Sequence, residues 1–402
     1  MKKTIQNLIN DGTPADHSLI LRYHAILPKI LPDGAVTNED LTMSSIAEGA
    51  RIFPLAQYRG VDIWACDESS LMATGTYKDL DACLMAAIAR HTGLGSIVLS
   101  SGGNLGYAMA RYAQKAGLKV YFFHPKSTLY KLDAANFDDE DVKVITVDRP
   151  EPEVKSLALN FAKTYCIEHV PDVEWRYAAS TVRAMHIAEN LLSSGNQVDW
   201  LAQAICAGYG PVGIYDCWSG LIDEGILPSD VVPPFLGIQQ ASNAPIVRAW
   251  QAGALEITRQ LTQGASPDKL IEPGMYNTNP NNNYSNLLNT IERYGGDFIA
   301  IDGDDYKSHE DTVTGWFRDS GLEFTINPQS GEILERAGIM TGIGIMNAVD
   351  QGHIKKGNRV LYLLTGGFRK LSSFSPLQPD LEVTSSQSIN GWVRELGSIL
   401  DL

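Results

Sequence analysis

The chain has 402 residues, of which 44% are hydrophobic and 20% charged, and its formal net charge is −15. This length allows two domains with a core each, whereas the acidic balance disfavours nucleic acids and anionic membranes as partners, because both require a basic surface. The N-terminal stretch MKKTIQNLINDG has no continuous apolar segment, so we expect neither a secretion signal nor a membrane anchor and place the protein in the cytoplasm.

Cysteine and histidine are too dispersed to indicate a metal centre. The eight histidines form no HExxH motif, and none has the spacing of paired metal ligands. The cysteines form no CxxC pair, which predicts buried thiols in a reducing compartment. They are Cys66, Cys83, Cys166, Cys206 and Cys217.

Taken in chain order, the predicted elements begin with a helix after the turn-forming residues 72–77. Short apolar runs then alternate with amphipathic segments. The runs that predict strands are 96–100, 119–123, 142–147, 200–205, 235–239, 298–301 and 359–365. The amphipathic segments include 104–117 and 180–195, which both end in glycine, as helices commonly do. This alternation predicts an α/β protein built on parallel sheets.

Two later segments differ from this pattern. Residues 272–286 are rich in Asn, Pro and Gly and predict a long loop. From Ser372 the chain turns polar and then ends in a short amphipathic helix. Its apolar residues are Trp392, Val393, Leu396 and Ile399. We expect this helix to dock on the body of the protein or on a second subunit.

The first predicted helix carries a lysine, Lys78, in its first turn. Peptide dipoles leave partial positive charge at a helix N-terminus, so acidic residues are favoured there and a cation is not. Asp79 and Asp81 follow this rule. The simpler interpretation is that Lys78 points into water. The functional interpretation is an amine that reacts in its neutral form, because a positive helix end and burial both lower the pKa of an ammonium group.

Two further strand–loop–helix turns are rich in glycine. SGGNLG (101–106) follows the strand at 96–100, and GYGPVG (208–213) follows the strand at 200–205. Small residues let the backbone approach an anion, and the N–H groups of the following helix supply donors. The acidic residues at 223, 224 and 230 precede the next strand instead of ending it, which disfavours a dinucleotide and favours a single phosphate group.

A reactive amine, a phosphate loop and a carboxylate loop together match an amino acid joined to pyridoxal 5′-phosphate (PLP). We therefore expect PLP as the cofactor, with Lys78 as its Schiff-base lysine. A nucleotide-binding module that uses GYGPVG is the alternative outside PLP chemistry. It is disfavoured because the loop has no Walker lysine.

The chain also resembles the PLP-dependent enzymes of fold type II, in the branch of threonine synthase and cysteate synthase. The resemblance runs from about residue 46 to 383 through TGTYKDLDA, LSSGGNLGYA, VYFFHPKSTLYKL, AICAGYGPVG, GIQQASNAPIVRAWQAG, INPQSGE and LLTGGFRKL. It implies that Lys78 forms the Schiff base, that Asn104 bonds the phenolic oxygen of the cofactor and that Thr365 faces the pyridine nitrogen. It further implies a phosphate site at Gly208, Tyr209, Gly210, Pro211, Val212 and Gly213, and a substrate-carboxylate site at Ser100, Ser101, Gly102 and Gly103.

The family fold implies two α/β domains with parallel sheets, like the tryptophan synthase β-subunit, and an active site in the cleft between them. We expect residues 1–93 and 174–402 to form a large PLP-binding domain and residues 94–173 a small mobile domain. Without the family context, Thr365 would be read as a residue that ends a core strand. A homodimer is the oligomeric state that we consider.

TYKDLDA, NAPIVRAWQAG and GGFRKL resemble cysteate synthase more than threonine synthase, which usually has an arginine where this chain has Leu80. The resemblance implies β-replacement, by elimination and then addition, on O-phospho-L-serine with sulfite. The alternatives are threonine synthase-like γ-replacement on O-phosphohomoserine, a β-replacement of specialised metabolism with another nucleophile, and a PLP-binding protein without catalysis. An anionic substrate needs local cations, and the candidates are Lys126, Lys131, Arg176 and Arg183.

Overall fold

The computed structural model describes most of the chain. The described residues are 4–29, 36–134, 137, 140–170, 173–195, 197–263, 266, 269–277, 279–369, 375, 377–384, 389–400 and 402. Within them the α-helices are α1 (Leu19–Arg22), α2 (Asn38–Ser44), α3 (Lys78–His91), α4 (Asn104–Lys115), α5 (Glu151–Tyr165), α6 (Val173–Ser194), α7 (Tyr209–Asp223), α8 (Pro245–Gln251), α9 (Arg259–Thr262), α10 (Asn281–Tyr294), α11 (Gly303–Asp319), α12 (Ala337–Asp350) and α13 (Ile389–Ile399). None of these helices is both long and apolar enough to cross a membrane.

The chain divides into two compact units. The first consists of Met1–Leu27, Glu48–Tyr77 and Arg176–Lys370, and the second of Pro28–Ala47, Lys78–Trp175 and Leu371–Leu402. The segment 94–173, which we predict to be a small mobile domain, falls inside the second unit, whose bounds are wider. The mobility of that domain stays a prediction.

The first unit is built on a six-stranded sheet. Its strands, from edge to edge, are β1 (Arg51–Tyr58), β2 (Val61–Asp67), β10 (Arg359–Leu364), β7 (Trp200–Ala204), β8 (Phe235–Gln240) and β9 (Gly296–Ile301). All neighbouring pairs are parallel except β1 and β2, which form an antiparallel hairpin. The helix α12 packs directly on this sheet, since a Cβ atom added to Gly344 would lie 2.4 Å from Cγ1 of Ile238.

The second unit has a five-stranded, fully parallel sheet. Its strands are β11 (Leu381–Val383), β5 (Val142–Val147), β4 (Lys119–Pro125), β3 (Ser96–Ser100) and β6 (Glu168–Val170). The core on one of its faces joins Phe123 and Ile145 of the sheet to Phe161 of α5 and to Val393 and Leu396 of α13. The predicted C-terminal helix therefore docks on the body of its own chain.

The α/β prediction is confirmed, and the seven predicted strands all occur with ends within two residues. The prediction of parallel sheets is also confirmed, and the edge strand β1 joins the first sheet as an antiparallel neighbour of β2. Two expectations are wrong. The predicted loop 272–286 ends early, because α10 begins at Asn281 and buries Tyr284. Of the cysteines, only Cys66 and Cys83 are buried, whereas Cys166 is exposed.

Candidate active site

Lys78 is the first residue of α3, as the turn before it predicts. Its Nζ lies 3.1 Å from Oδ2 of Asp81, and the two side chains are only 13% and 4% exposed. The simpler interpretation, a lysine that points into water, is therefore wrong. The carboxylate compensates the cation at the positive end of the helix, where an unpaired ammonium group would be unfavourable.

The turn before α7 has a backbone conformation that suits the binding of an anion. Gly208 precedes the helix with a left-handed φ of 82°, and no side chain caps the helix N-terminus. A Cβ atom at Gly208 would lie 2.7 Å from Cδ1 of Leu287, so conformation and space both require glycine there. The first turn of this 15-residue helix contains no acidic residue. The N–H groups of Tyr209 and Gly210 and the positive helix end thus suit an anion, whereas Pro211 has no N–H and Val212 donates to the carbonyl oxygen of Gly208.

A buried ion pair lies beside this turn. Arg183 of α6 is fully buried and donates from Nε and Nη2 to the two carboxylate oxygens of Glu68, at 2.8 and 2.6 Å. Burial opposes its charge, but the Glu68 carboxylate more than offsets this and holds the pKa of Arg183 above its ordinary value. A Cβ atom added to Gly210 would lie 2.5 Å from Nη1 of Arg183, so the arginine occupies the space that a side chain at 210 would need.

The same face of α6 packs against the first turns of α7. A Cβ atom at Gly213 would lie 2.7 Å from both Cβ of Ser180 and the carbonyl oxygen of Tyr177. The guanidinium carbon of Arg176 lies 3.9 Å from the ring centroid of Tyr209. Gly213 therefore serves the contact between the two helices, and Arg176, predicted to bind substrate, stacks on Tyr209 of the predicted phosphate loop.

Thr365 follows β10 directly and is buried. Its carbonyl oxygen accepts hydrogen bonds from the N–H of Tyr77 at 3.1 Å and from Oγ1 of Thr76 at 3.0 Å. The guanidinium carbon of Arg183 lies 4.3 Å from the ring centroid of Tyr77. The residue before Lys78 is thus in contact with both Thr365 and Arg183, two residues that were predicted separately from the sequence.

In the second unit, the loop from Ser100 to Asn104 joins β3 to α4 and is held by two histidines. Oγ of Ser100 lies 3.0 Å from Nε2 of His169, and Nδ1 of His124 lies 2.8 Å from the carbonyl oxygen of Ser101. A carbonyl oxygen only accepts, so Nδ1 of His124 is the protonated nitrogen. Burial lowers the pKa of His124 to about 4 and also lowers the pKa of His169. Both imidazoles are therefore neutral at pH 7.

The loop is also close to the segment after β4. A Cβ atom at Gly102 would lie 3.0 Å from Oγ1 of Thr128. Gly103 precedes α4 without a side-chain cap, and the first turn, which begins at Asn104, contains no acidic residue. This turn can accept an anion for the same reason as the first turn of α7.

The two candidate lysines of this unit differ. Lys126 is exposed and forms an ion pair with Glu382 on the surface, so its charge is already compensated. Lys131 is almost completely buried. We therefore assign no role in the site to Lys126.

Sequence reasoning missed several residues that support the predicted ones. They are Glu68, Asp81, His124, His169 and Gln203. Only Asp81 had a local signal, its distance of three residues from Lys78 on one helix. Glu68 is separated from Arg183 by 115 residues, and no pattern in a single sequence links them. Among the described residues, no cluster of His, Cys, Asp or Glu could hold a metal ion.

Comparisons with known proteins agree on one family. The family model described as "Pyridoxal-phosphate dependent enzyme" matches residues 50–313. A cysteate synthase from Methanosarcina mazei is 24% identical over 387 residues, which cover 93% of this chain and 88% of that protein. A threonine synthase from Synechocystis sp. is 27% identical over 183 residues, 44% of this chain and 46% of that protein. The structure of diaminopropionate ammonia lyase from Escherichia coli matches with a TM-score of 0.59 and 16% identity, over 84% of this chain and 90% of that chain.

Proposed function

The chain belongs to the family of pyridoxal-phosphate dependent enzymes and has their type II fold, and from this premise we propose that it catalyses β-replacement on an O-activated amino acid. The first candidate reaction converts O-phospho-L-serine and sulfite into L-cysteate and phosphate. The observation that carries this proposal is the match to a cysteate synthase over 93% of the chain. The more distant candidates share the cofactor and differ in leaving group or nucleophile.

The described residues fit the cofactor. The N-terminus of α7 offers backbone donors without a competing carboxylate, and the fully buried Arg183 has one nitrogen, Nη1, without a hydrogen-bond partner among the described residues. Both features suit a phosphate group. Lys78 is the residue that we assign to the covalent attachment. When bound, PLP supplies a carbon that accepts an amino group and a ring that withdraws electrons from the bond to be broken.

We assign the proton transfer to Lys78. In its neutral form Nζ can take the proton from the α-carbon of the substrate. The ammonium group that results lies within reach of Oδ2 of Asp81, which is 3.1 Å away and nearly buried. Asp81 therefore stabilises the charge that the transfer creates, in surroundings where water screens it little.

The loop from Ser100 to Asn104 is our candidate for the substrate carboxylate. Two neutral histidines hold it through Ser100 and Ser101. The N–H of Gly102 lies 3.5 Å from Oε1 of Glu151, and the N–H of Gly103 donates to Oγ of Ser101, so a substrate carboxylate would replace Glu151 as the acceptor of the first of these groups. A hydroxyl group at Thr365 would not retain a proton on a pyridine nitrogen, unlike a carboxylate. This environment favours loss of a leaving group from the substrate.

A threonine synthase-like reaction on O-phosphohomoserine is the second candidate. The match to the Synechocystis threonine synthase and the position of Thr365 favour it. That match covers 44% of this chain, however, against 93% for the cysteate synthase. We therefore rank it below β-replacement on O-phosphoserine.

The test uses purified protein saturated with PLP. We expect phosphate release from O-phospho-L-serine and, when sulfite is added, L-cysteate detected by mass spectrometry. Lys78→Ala should abolish both, whereas Lys115→Ala, a change of an exposed lysine in α4, should leave them unchanged. After borohydride reduction, the cofactor mass should remain on the peptide that contains Lys78.

Other outcomes separate the candidates. Phosphate and threonine from O-phosphohomoserine, with no reaction of O-phosphoserine, would replace the first candidate by the second. Phosphate release from O-phosphoserine without cysteate would retain the elimination and reject sulfite as the nucleophile. Absence of a reduced adduct on Lys78 would reject its assignment.

A further inference from the structure

The buried arginine of the first unit has a donor that its ion pair does not use. Arg183 is 0% exposed, and its Nε and Nη2 donate to Glu68. Nη2 also donates to Oε1 of Gln203 at 3.0 Å. Nη1 is buried and has no hydrogen-bond partner among the described residues. A buried guanidinium N–H without an acceptor is costly, and it indicates that an acceptor binds there.

Nη1 lies against the first turn of α7, at its second residue. The position that a Cβ atom of Gly210 would occupy is 2.5 Å from Nη1. The guanidinium carbon also lies 4.3 Å from the ring centroid of Tyr77. Glu68, Gln203 and Tyr77 thus fix the orientation of the group, and little reorganisation is needed for Nη1 to donate.

The chemistry of the turn identifies the acceptor as an oxyanion. The helix end is positive, no side chain caps it, and its first turn contains no carboxylate. A backbone N–H cluster beside a permanently charged guanidinium group matches the several oxygens of a phosphate. Glu68 is not this acceptor, since its two oxygens accept from Nε and Nη2 of the same arginine, and no described residue accepts from Nη1.

We propose that Arg183, held in place by Glu68, donates through Nη1 to the phosphate group of the cofactor and makes the affinity for that group depend on this ion pair. This inference rests on the proposed PLP-dependent function. It moves Arg183 from the substrate anion, to which charge alone assigned it, to the cofactor. It also explains why the second residue of α7 is glycine.

The test compares two ligands that differ only in the phosphate group, PLP and pyridoxal, by measuring the Kd of each for the cofactor-free protein. In Arg183→Gln we expect the Kd for PLP to rise about 30-fold, which corresponds to ~2 kcal/mol, and the Kd for pyridoxal to change by less than about twofold. Inorganic phosphate should compete with PLP in the wild type, and this competition should weaken in the variant.

Two further variants keep the test decisive. Arg183→Gln leaves Glu68 buried without a partner and can impair folding, so the double variant Glu68→Gln/Arg183→Gln, which removes both charges, should show the same loss for PLP. Arg22→Gln is the matched control. Arg22 donates to both oxygens of Glu189, which lies on α6 as Arg183 does. Its loss should leave the ratio of the two affinities unchanged.

Equal losses for PLP and pyridoxal would show a merely structural role and overturn the proposal, as would an unchanged Kd for both. The proposed reaction and the inference about Arg183 can be rejected independently of each other. A wild type whose affinity depends on the phosphate group and on Arg183, but which does not turn over O-phosphoserine, would reject the reaction and retain this inference. A wild type that does not bind PLP would reject both.

Discussion

The contact between α6 and α7 allows a sharp test with three glycines of one helix, two of them in the loop motif. At Gly213, an added Cβ atom would lie 2.7 Å from a carbon of Ser180 and 2.7 Å from the backbone oxygen of Tyr177, whereas carbon atoms in contact prefer about 3.5–4.0 Å. A backbone oxygen cannot retreat unless α6 moves. We therefore expect Gly213→Ala to lower the free energy of unfolding by about 1–3 kcal/mol, the usual range for overpacking.

Gly220 is the control on the same helix. A Cβ atom there would have no neighbour within 4 Å, and replacement of an exposed helical glycine by alanine stabilises by roughly 0.5–1 kcal/mol. Urea midpoints of the PLP-saturated protein should therefore fall for Gly213→Ala and rise for Gly220→Ala. A midpoint for Gly213→Ala equal to or above that of Gly220→Ala would refute the packing argument. Gly210→Ala should differ from both, because its Cβ atom meets the end of a side chain, and should mainly weaken PLP binding.

Three further expectations concern the second unit. In the unfolded chain His124 is protonated near pH 6.5, whereas in the native state its imidazole is protonated only near pH 4. Between these pH values the unfolded state binds more protons, so the free energy of unfolding falls by up to ~3 kcal/mol as the pH is lowered through this range. His124→Asn, which can still donate to Ser101, should make the pH dependence of the urea midpoint shallower, and an unchanged slope would contradict the burial argument. Asp81→Asn should lower kcat for phosphate release about 10- to 100-fold, by loss of a charged partner of Lys78, and leave KM nearly unchanged; a change in KM alone would assign Asp81 to binding. Leu396→Ala removes a fully buried side chain of α13 and should lower the free energy of unfolding by about 2–4 kcal/mol, whereas a midpoint equal to that of the wild type would show that α13 adds no stability.

The strands that could be predicted are those buried on both faces, because they appear as continuous apolar runs. The hairpin of β1 and β2 was missed for the opposite reason. In RIFPLAQY only Leu55 is buried, and a charged residue within VDIWACD interrupts the apolar run. β6 and β11 have three residues each, too few to show a period.

The start of α10 was missed because the Asn-rich composition of the segment concealed the helical spacing of its apolar residues. Asn-rich segments favour turns, and NNNYSN was therefore read as part of a loop. Tyr284, Leu287 and Ile291 nevertheless recur at helical spacing, and all three are buried. The apolar face of the helix outweighs the low helix propensity of its first residues.

Local signals predicted where the helices of the candidate site begin, but not the tertiary contacts around them. The lysine at a helix start and the two glycine turns each depend on a few consecutive residues, and the structure has helices beginning at or beside all three; their roles stay predictions. The role that we propose for Arg183 could not be read from the sequence, because its charge alone suggested a substrate anion. Its ion pair with Glu68 on one side and its proximity to Gly210 on the other exist only in the folded chain.

The three helix starts explain how a protein with a net charge of −15 can offer sites to anions. The first turn of α3 contains Asp79 and Asp81, and its lysine, Lys78, forms an ion pair with Asp81. The first turns of α4 and α7 contain no acid at all. Because the field of a helix end is strongest within one turn, the omission of carboxylates from these two turns matters more to a bound anion than the overall charge. In our proposal, the buried Arg183 supplies the one cation beside α7, because a surface cation such as Lys126 is already paired and is screened by solvent.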